Sequence, residues 1–536
     1  MQSQPIRLAA IWVLLSLPYL ALGTWLERIK GSQSVAAFVL SIAVQLWLFA
    51  FVTRTWRRFF LLQFPVFLLG ITFVAITVTF GTPPGQLIAF VLATSSWQEV
   101  RGFLSIWQGE RLLLAGVVLG AVYLILAGRS SSRPISSGDN PYVRWSLIGS
   151  VLLLSAYSAQ NPAAFIDGMA VNPLIGTAMF IAGPLKYANA TVDGTVVHKV
   201  PYGAARVNRE EVHILIIGES ARRDSWSVYG YSRNTTPNLV KLRGEAIFFQ
   251  NAVADANLTI SAVPILLTGI SPDRFDMQAV RGNLVDLAQE AGYTTAWLMN
   301  QDPHISLVTG IHADRMVYPP AIATVVDGHL PLDGKLLPEL KREIERRGKA
   351  RFIGMHVIGS HWQYDTRYPA EFEHFGSGKG LTYLSVLSGK PDQRVVDAYD
   401  NSVAYTDWFL AQVIEQARAL TVPATVSYIS DHGEDLFMLD GRSGHGSGTY
   451  SKHQFEIPAF VWVNSAYREA HPDKVQALLQ NSVKEIRTHN VFYSMADVMG
   501  IAWPGAEPTK SYASKDFVPD LVTPVIAGGA LVSRTE

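Results

Sequence analysis

The 536-residue chain contains no cysteine. Its absence removes disulfides, thiolate metal sites and cysteine nucleophiles together. Charge is scarce as well: Asp, Glu, Lys and Arg are 16% of the residues, and 44 acidic side chains balance 44 basic ones. With no basic surplus, nothing points to a nucleic-acid partner or a polybasic arm. Internal repeats and low-complexity tracts are missing too. What remains plentiful is apolar. Hydrophobic residues are 49% of the chain, a balance that leans toward partial burial in lipid, and the length exceeds what one ordinary core organises, so two or more domains are expected.

Apolar runs cover residues 6–25, 35–52, 59–80, 112–126 and 145–157, most of them near the roughly 20 residues that cross a bilayer core. They predict five transmembrane helices and a membrane domain over residues 1–159. The fourth and fifth runs are short, and the fifth also fits a buried core helix. No small-residue cleavage site follows the first run and further spans come at once, which argues against a signal peptide. Arg54, Arg57 and Arg58 lie between runs two and three, and Arg129, Arg133 and Arg144 between runs four and five. Basic loops stay cytoplasmic, so the amino terminus with Arg7 is expected inside, against the opposing pull of Arg28 and Lys30. Five crossings then place everything after about Ala159 on the outer side, the periplasm in a bacterium.

The long loop between runs three and four, residues 81–110, contains FVLATSSWQEVRGFLSIWQG. Ser95 or Ser96 fits the cap of a short helix with Trp97, Phe103, Ile106 and Trp107 toward the interface, for anchoring or for gripping a lipid. Residues 160–207 carry Pro, Gly and Asn around one apolar run, PLIGTAMFIAGPLKYA, the pattern of a linker with an interfacial helix. From residue 212 the pattern changes. HILIIG, AIFF, TTAWLM, RFIGMHVIG, ATVSYIS and PAFVWV alternate with helical stretches such as LPELKREIERRG and VAYTDWFLAQVIEQARAL, which predicts an α/β domain over residues 208–536 with a largely parallel sheet covered by helices.

Ligands of open α/β sheets gather at the carboxyl ends of the strands. Three of the predicted strands end in metal-binding residue types: HILIIG in Glu219, RFIGMHVIG in His361, and ATVSYIS in Asp431 and His432. The last opens the stretch SYISDHGEDLFMLDGRSGHG, after which come His445 and His453. Alone, Asp-His-Gly also fits a turn; three such ends on one sheet converge on one rim, and carboxylate with imidazole suits zinc or another divalent ion. A hydroxyl nucleophile is available in DANLTISAVPILLTG, where Thr259 lies at the expected start of a helix. There the positive helix end and a metal would both lower its pKa. The same position fits a plain N-cap, and Ser261 is a competing hydroxyl.

The segment GESARRDSWSVYGYSRNTTPNL, Thr259 five residues before Pro264, GSH at 359–361, SDHGEDL at 430–436 and the later His445-Gly446 together resemble the bacterial phosphoethanolamine transferases. That family includes lipid A modifying and mobile colistin-resistance enzymes, within the alkaline phosphatase and sulfatase superfamily. The resemblance covers nearly the whole chain, since the family also joins five membrane helices to a periplasmic catalytic domain. It implies that Glu219, Thr259, Asp431 and His432 hold the catalytic zinc and that Thr259 becomes a phosphoethanolamine-threonine intermediate. His361 and His445 match histidines that contact the phosphate or a second zinc, and one of them protonates the leaving alkoxide. Glu99 matches roughly a glutamate assigned to the ethanolamine amine. Asn300 is expected as a substrate contact, and the motif around it, WLMNQDPH, lacks the Lys expected in the lipid A enzymes, with His304 a candidate replacement. His453 is the weaker histidine.

The resemblance further implies an inner-membrane, multi-pass protein that takes phosphatidylethanolamine as donor, releases diacylglycerol, and passes the group to lipid A, a core sugar of lipopolysaccharide or another envelope glycan or lipid. The missing disulfides, which lipid A enzymes usually carry, leave the acceptor open. Rival readings are a phosphoglycerol transferase drawing on phosphatidylglycerol, a hydrolase of the sulfatase or phosphatase type, and a non-catalytic membrane sensor. The GYSRNTTP segment favours phosphoethanolamine, Thr259 lacks the Cys/Ser-x-Pro-x-Arg context of sulfatases, and joint retention of Glu219, Thr259, Asp431 and His432 speaks for catalysis.

Overall fold

The computed structural model describes residues 4–53, 55–80, 107–131, 141–178, 201–276, 282–301, 311–317, 332–346, 348–381, 385–386, 390–439, 441, 443–446, 448, 450–521, 524–527 and 530–534. The chain divides into two compact units, Met1–Asp193 and Gly194–Glu536.

The first unit is helical. All five apolar runs form helices: α1 (Gln4–Lys30), α2 (Ser32–Val52), α3 (Trp56–Phe80), α4 (Trp107–Gly128) and α5 (Pro141–Gln160). Among the described residues, three stretches are long and apolar enough to cross a membrane: Ile6–Glu27, Ser32–Val52 and Trp56–Ala75. In α4 the apolar part is the shorter Leu114–Gly128, and in α5 Arg144, Ser146, Ser150, Ser155 and Ser158 dilute the hydropathy. Large apolar side chains face outward along these helices, Val13, Val39, Leu114, Val117 and Leu152 among them. Polar contacts sit within: the buried Gln45 donates to Tyr19 Oη and to Gln63 Oε1. This inside-out distribution is what a lipid solvent selects, because lipid rewards exposed hydrocarbon and penalises unpaired polar groups. A further helix, α6 (Pro162–Val171), opens the segment expected as a linker and packs on α2. Gly168 permits the contact, since a Cβ there would lie 2.7 Å from Ala37 Cβ and from the Phe38 nitrogen. Much of the expected interfacial run, from residue 179, lies outside the described residues, as do Glu99 and His304.

The second unit is built on a seven-stranded sheet. In chain order its strands are β1 (Val212–Gly218), β2 (Ala246–Phe248), β3 (Thr294–Met299), β4 (Arg315–Val317), β5 (Arg351–His356), β6 (Ala424–Ser430) and β7 (Ala459–Val463). The spatial order is β2-β7-β6-β1-β5-β3-β4. From β6 through β4 all neighbours are parallel, while β7 runs antiparallel to both β6 and β2. The largely parallel sheet is therefore as expected, with β7 the exception. β1 is central and buried at every position, which is why its sequence is a continuous apolar run rather than an alternation.

Each face of the sheet has its own core. One side packs Leu215, Ile217 and Trp297 against Val263 and Leu266 of helix α7 (Thr259–Thr268). The other packs Ile214, Ile216 and Met355 against Val403, Leu410 and Val413 of the long helix α8 (Gln393–Arg418). In register, Gly218 pairs with Ser430 and Ile217 with His356. The parallel strands β1, β5 and β6 thus end side by side, and whatever follows them shares one edge.

Candidate metal centre

Glu219 follows β1 directly and Asp431 and His432 follow β6, so register alone brings the three together. Their ligand atoms lie within 4.8 Å of one another and all three residues are buried. His432 Nε2 is 3.3 Å from Glu219 Oε1 and 3.4 Å from Asp431 Oδ2. Thr259 arrives from the other direction. It is the first residue of α7, with Leu258 in the N-cap position, and its hydroxyl donates to Glu219 at 3.2 and 3.3 Å and lies 3.3 Å from His432 Nε2. The hydroxyl is spent on the carboxylate, not on capping its own helix. Ser261 is the second residue beyond it and is 7% exposed; among the described contacts it makes none with this cluster.

Each donor is aimed by a second contact. Asp431 Oδ1 accepts from the Ser220 and His432 amides at 3.2 and 2.7 Å. Its Oδ2 is buried with no hydrogen-bond partner among the described residues. His432 Nδ1 lies 2.9 Å from the Gly433 carbonyl, which commits that nitrogen and turns Nε2 to the carboxylates, the usual arrangement for a ligating histidine. Glu219 Oε2 also accepts from Gln301 Nε2 at 3.0 Å, and His356 Nε2 stands 4.0 Å away. Ser220 holds this corner with a positive φ of 54°.

The electrostatics ask for a cation. Burial alone would raise Glu219, but its hydrogen bond to His432 and the charges of His432, His361 and His356 hold it below the usual carboxylate range. Burial and the neighbouring Glu219 charge push Asp431 up. Burial would lower His432, yet Asp431 and Glu219 raise it to about 10. Two buried carboxylates side by side favour positive charge between them. The orphaned Asp431 Oδ2, the oriented Nε2 and a hard oxygen-nitrogen donor set all fit zinc.

Two further histidines stand beside the cluster. His445 has its ring 4.2 Å from that of His432 and 5.9 Å from that of His361, centroid to centroid. Its Nδ1 is 2.7 Å from Glu434 Oε2, and Glu434 Oε1 accepts from Tyr364 Oη at 2.8 Å. His432, Glu434 and His445 form a second group whose ligand atoms lie within 4.8 Å. His361 Nδ1 is 2.6 Å from the Trp362 carbonyl. His453 is placed apart, paired with Asp224 at 2.9 Å. Asn300 is buried and turns its amide to Asp333 Oδ1 at 2.7 Å. Sequence reasoning missed Gln301, His356 and Glu434. Each was within reach: His356 and Gln301 lie at the carboxyl ends of β5 and β3, and Glu434 follows His432 by two.

Similar proteins were found by sequence and by structure. Phosphoethanolamine transferase EptC of Escherichia coli K12 is 25% identical over 466 residues, 82% of this chain and 79% of that protein. The integral membrane lipooligosaccharide phosphoethanolamine transferase A (EptA) of Neisseria meningitidis superposes with a TM-score of 0.70 at 19% identity, covering 95% of this chain and 97% of that one. At that identity the match speaks for the fold, helical unit included. The zinc complex of the periplasmic domain of Escherichia coli EptC superposes with a TM-score of 0.54 at 22% identity, covering 62% and 95%. The family described as Sulfatase matches residues 212–501, a span that takes in every strand of the main sheet and all four clustered residues, and the chain belongs to that family.

Proposed function

We propose that the chain is a membrane-bound, zinc-dependent transferase that moves phosphoethanolamine from phosphatidylethanolamine to lipid A, a core sugar or another envelope glycan, by way of a phosphothreonine at Thr259. The observation that carries the reading is the Thr259 hydroxyl, 3.2 to 3.3 Å from Glu219 and His432 at the edge where β1 and β6 end. The relatives named above as phosphoethanolamine transferases support the choice of group.

Glu219, Asp431, His432 and the Thr259 oxygen would hold zinc, which when bound supplies the charge that lowers the hydroxyl pKa and offsets the phosphoryl oxygens. Thr259 Oγ1 attacks phosphorus and gives up its proton toward Glu219, on which it already donates. The phosphorus–oxygen bond to diacylglycerol breaks, and that alkoxide takes a proton from His361 or His445, which stand across the cluster. An acceptor hydroxyl, giving its proton to the same histidine, then attacks the phosphothreonine, and Thr259 Oγ1 leaves and takes back its proton from Glu219. Asp431, pinned by two amides, and Gln301, bonded to Glu219, keep the donors in place. Further elements of the reading are five crossings by α1–α5, a periplasmic catalytic unit spanning residues 208–536, an inner-membrane location, and Glu99 and Asn300 as substrate contacts.

Intact mass of the full chain after exposure to phosphatidylethanolamine tests it. A phosphoethanolamine adduct is expected, located at Thr259 and absent in Thr259→Ala. An adduct that survives in Thr259→Ala overturns the nucleophile, and label arriving only from phosphatidylglycerol overturns the donor.

A further inference from the structure

The loop that carries His361 is gripped from two sides by buried charged groups that the proposed chemistry does not use. It leaves β5 and turns at Gly359, whose φ is 48°. The turn lies on the backbone of a metal-centre residue. A Cβ at Gly359 would stand 2.8 Å from the Glu219 carbonyl oxygen, and the Ser360 amide donates to that same oxygen at 3.0 Å. On the amide side of the loop is Asp333, which opens the short helical turn Asp333–Leu336 and is buried. Its Oδ1 accepts from the Ile358 amide at 2.9 Å and its Oδ2 from the Gly359 amide at 3.0 Å, while the Asn300 side chain donates to Oδ1 at 2.7 Å. On the carbonyl side is Arg367, also buried. Its Nε donates to the His361 carbonyl at 2.8 Å and its Nη2 to the Trp362 carbonyl at 2.7 Å. Two successive amides thus sit on one carboxylate and two successive carbonyls on one guanidinium, whose rigid fork fixes geometry as well as charge. The Trp362 carbonyl has a second donor. His361 Nδ1 lies 2.6 Å from it, and since a carbonyl only accepts, Nδ1 carries a proton. Arg367 therefore holds the oxygen that orients the ring, and the proton that His361 can lend is the one on Nε2.

A buried aspartate that accepts amides is often only a turn former. Here it and the arginine act on one five-residue stretch, 358–362, with His361 inside it and Glu219 beneath it. Burial pushes the Asp333 carboxyl up, and its bonds to Asn300 and the two amides, together with the Arg367 charge, oppose that rise, so the two gripping groups also feel each other. We propose that Asp333 and Arg367 are positioning residues that aim His361 Nε2 at the leaving oxygen of the donor, and that His361, not His445, therefore supplies the proton of the first step. The inference rests on the function proposed above. As Thr259 Oγ1 bonds to phosphorus and the bond from phosphorus to the diacylglycerol oxygen breaks, the Nε2 proton of the imidazolium passes to that oxygen, leaving a neutral imidazole and a hydroxyl. General acid catalysis contributes about 10²–10⁴-fold, and a misplacement of about 1 Å can cost about 100-fold. A leaving group that departs as a stable anion needs no such acid.

That difference supplies the test. Two donors share one headgroup: phosphatidylethanolamine, and the p-nitrophenyl ester of phosphoethanolamine, whose leaving group departs as an anion. Asp333→Asn keeps the side chain's size but turns an NH2 donor toward one of the two loop amides. With adduct formation on the full chain followed by intact mass, it is expected to slow the lipid donor by about 10- to 100-fold and the nitrophenyl donor far less. Arg367→Lys keeps the charge but loses the fork that spans two carbonyls; it is expected to show the same split and serves as the variant should Asp333→Asn not fold. Equal slowing with both donors, or a lipid rate unchanged in a folded variant, overturns the proposal, because a general loosening of the sheet edge does not distinguish leaving groups. A double variant adds a second criterion. Combined with His361→Ala, Asp333→Asn should add little to the loss on the lipid donor, since it acts through that ring; losses that multiply overturn the assignment. No adduct on the wild-type chain from either donor sinks the proposed function and this inference with it, whereas a wild-type adduct with no split in the variants sinks the positioning role alone.

Discussion

Gln301→Met isolates how much of the cation's hold depends on the aim of one carboxylate. Gln301 Nε2 donates to Glu219 Oε2 at 3.0 Å and to the Val357 carbonyl at 2.9 Å, and Met preserves length and volume while removing both donors. A hydrogen bond to a charged group contributes about 1.5–3 kcal/mol. At about 1.4 kcal/mol per factor of ten, zinc affinity should fall by about 10- to 100-fold, which is also the usual cost of losing an outer partner of a ligand. The neutral bond to Val357 contributes about 1 kcal/mol of stability, so a fall of a few degrees in melting temperature should accompany the change. Competition with a zinc chelator on the full chain in nanodiscs, beside a thermal melt of the metal-free protein, separates the two effects. Affinity within about two-fold of wild type, with the melting temperature lowered, would falsify the reasoning: the amide would then serve the strand and not the ligand.

Asp255, just ahead of α7, lies 2.8 Å from Arg487 Nε with both side chains fully buried, and it accepts from Thr488 Oγ1 and the His489 amide. Asp255→Asn should cost about 3–5 kcal/mol by stranding Arg487. Burial would raise this carboxyl, but Arg487 and His489 hold it below the usual range. Its stabilisation is therefore present above the ordinary carboxyl value of about 4 and disappears as pH falls toward the depressed folded value. Unfolding across pH should show a constant gap between wild type and Asp255→Asn near neutrality that closes in acid; a gap that widens in acid refutes the assignment. At Gly433 a Cβ would lie 2.3 Å from the His453 carbonyl oxygen. Gly433→Ala should thus destabilise by about 1–3 kcal/mol and lower zinc affinity by shifting His432, whereas Gly448→Ala, with no atom of the described residues within 4 Å of the added Cβ, should change neither in the same titration.

How far the fold could be read from the sequence follows from which forces leave a linear trace. Six apolar runs all became strands of the main sheet, five of them parallel to one another and PAFVWV antiparallel as β7, because strands covered on both faces need uninterrupted hydrocarbon. β4 escaped notice: it is three residues, Arg315–Val317, half-buried at the sheet edge, and carries no such run. α8 begins at Gln393, ten residues ahead of its apolar pattern, because Asp392 caps it and its first turns bury Asp400, Asn401 and Ser402. Hydropathy cannot see a helix face buried through polar contacts. In the helical unit the same measure found all five helices, of which α1, α2 and α3 contain stretches of membrane-crossing length and hydropathy.

The centre was legible for a related reason. Register in a parallel sheet converts separate stretches of sequence into neighbours, so Glu219, Asp431 and His432 could be grouped once two strands were expected to end in them and a third in His361. The same rule applied to amides would have reached Gln301, two residues past Met299. Thr259 shows where the rule stops. Locally, a threonine at a helix start reads as an N-cap or as a nucleophile with equal ease, because both uses want a hydroxyl at the positive end of a helix. Only the tertiary placement separates them: Leu258 occupies the cap position, so α7 begins at Thr259 and its hydroxyl is left to Glu219 and His432. The proposed nucleophile is therefore a property of the approach between the start of α7 and the ends of β1 and β6, and no window of sequence contains that approach.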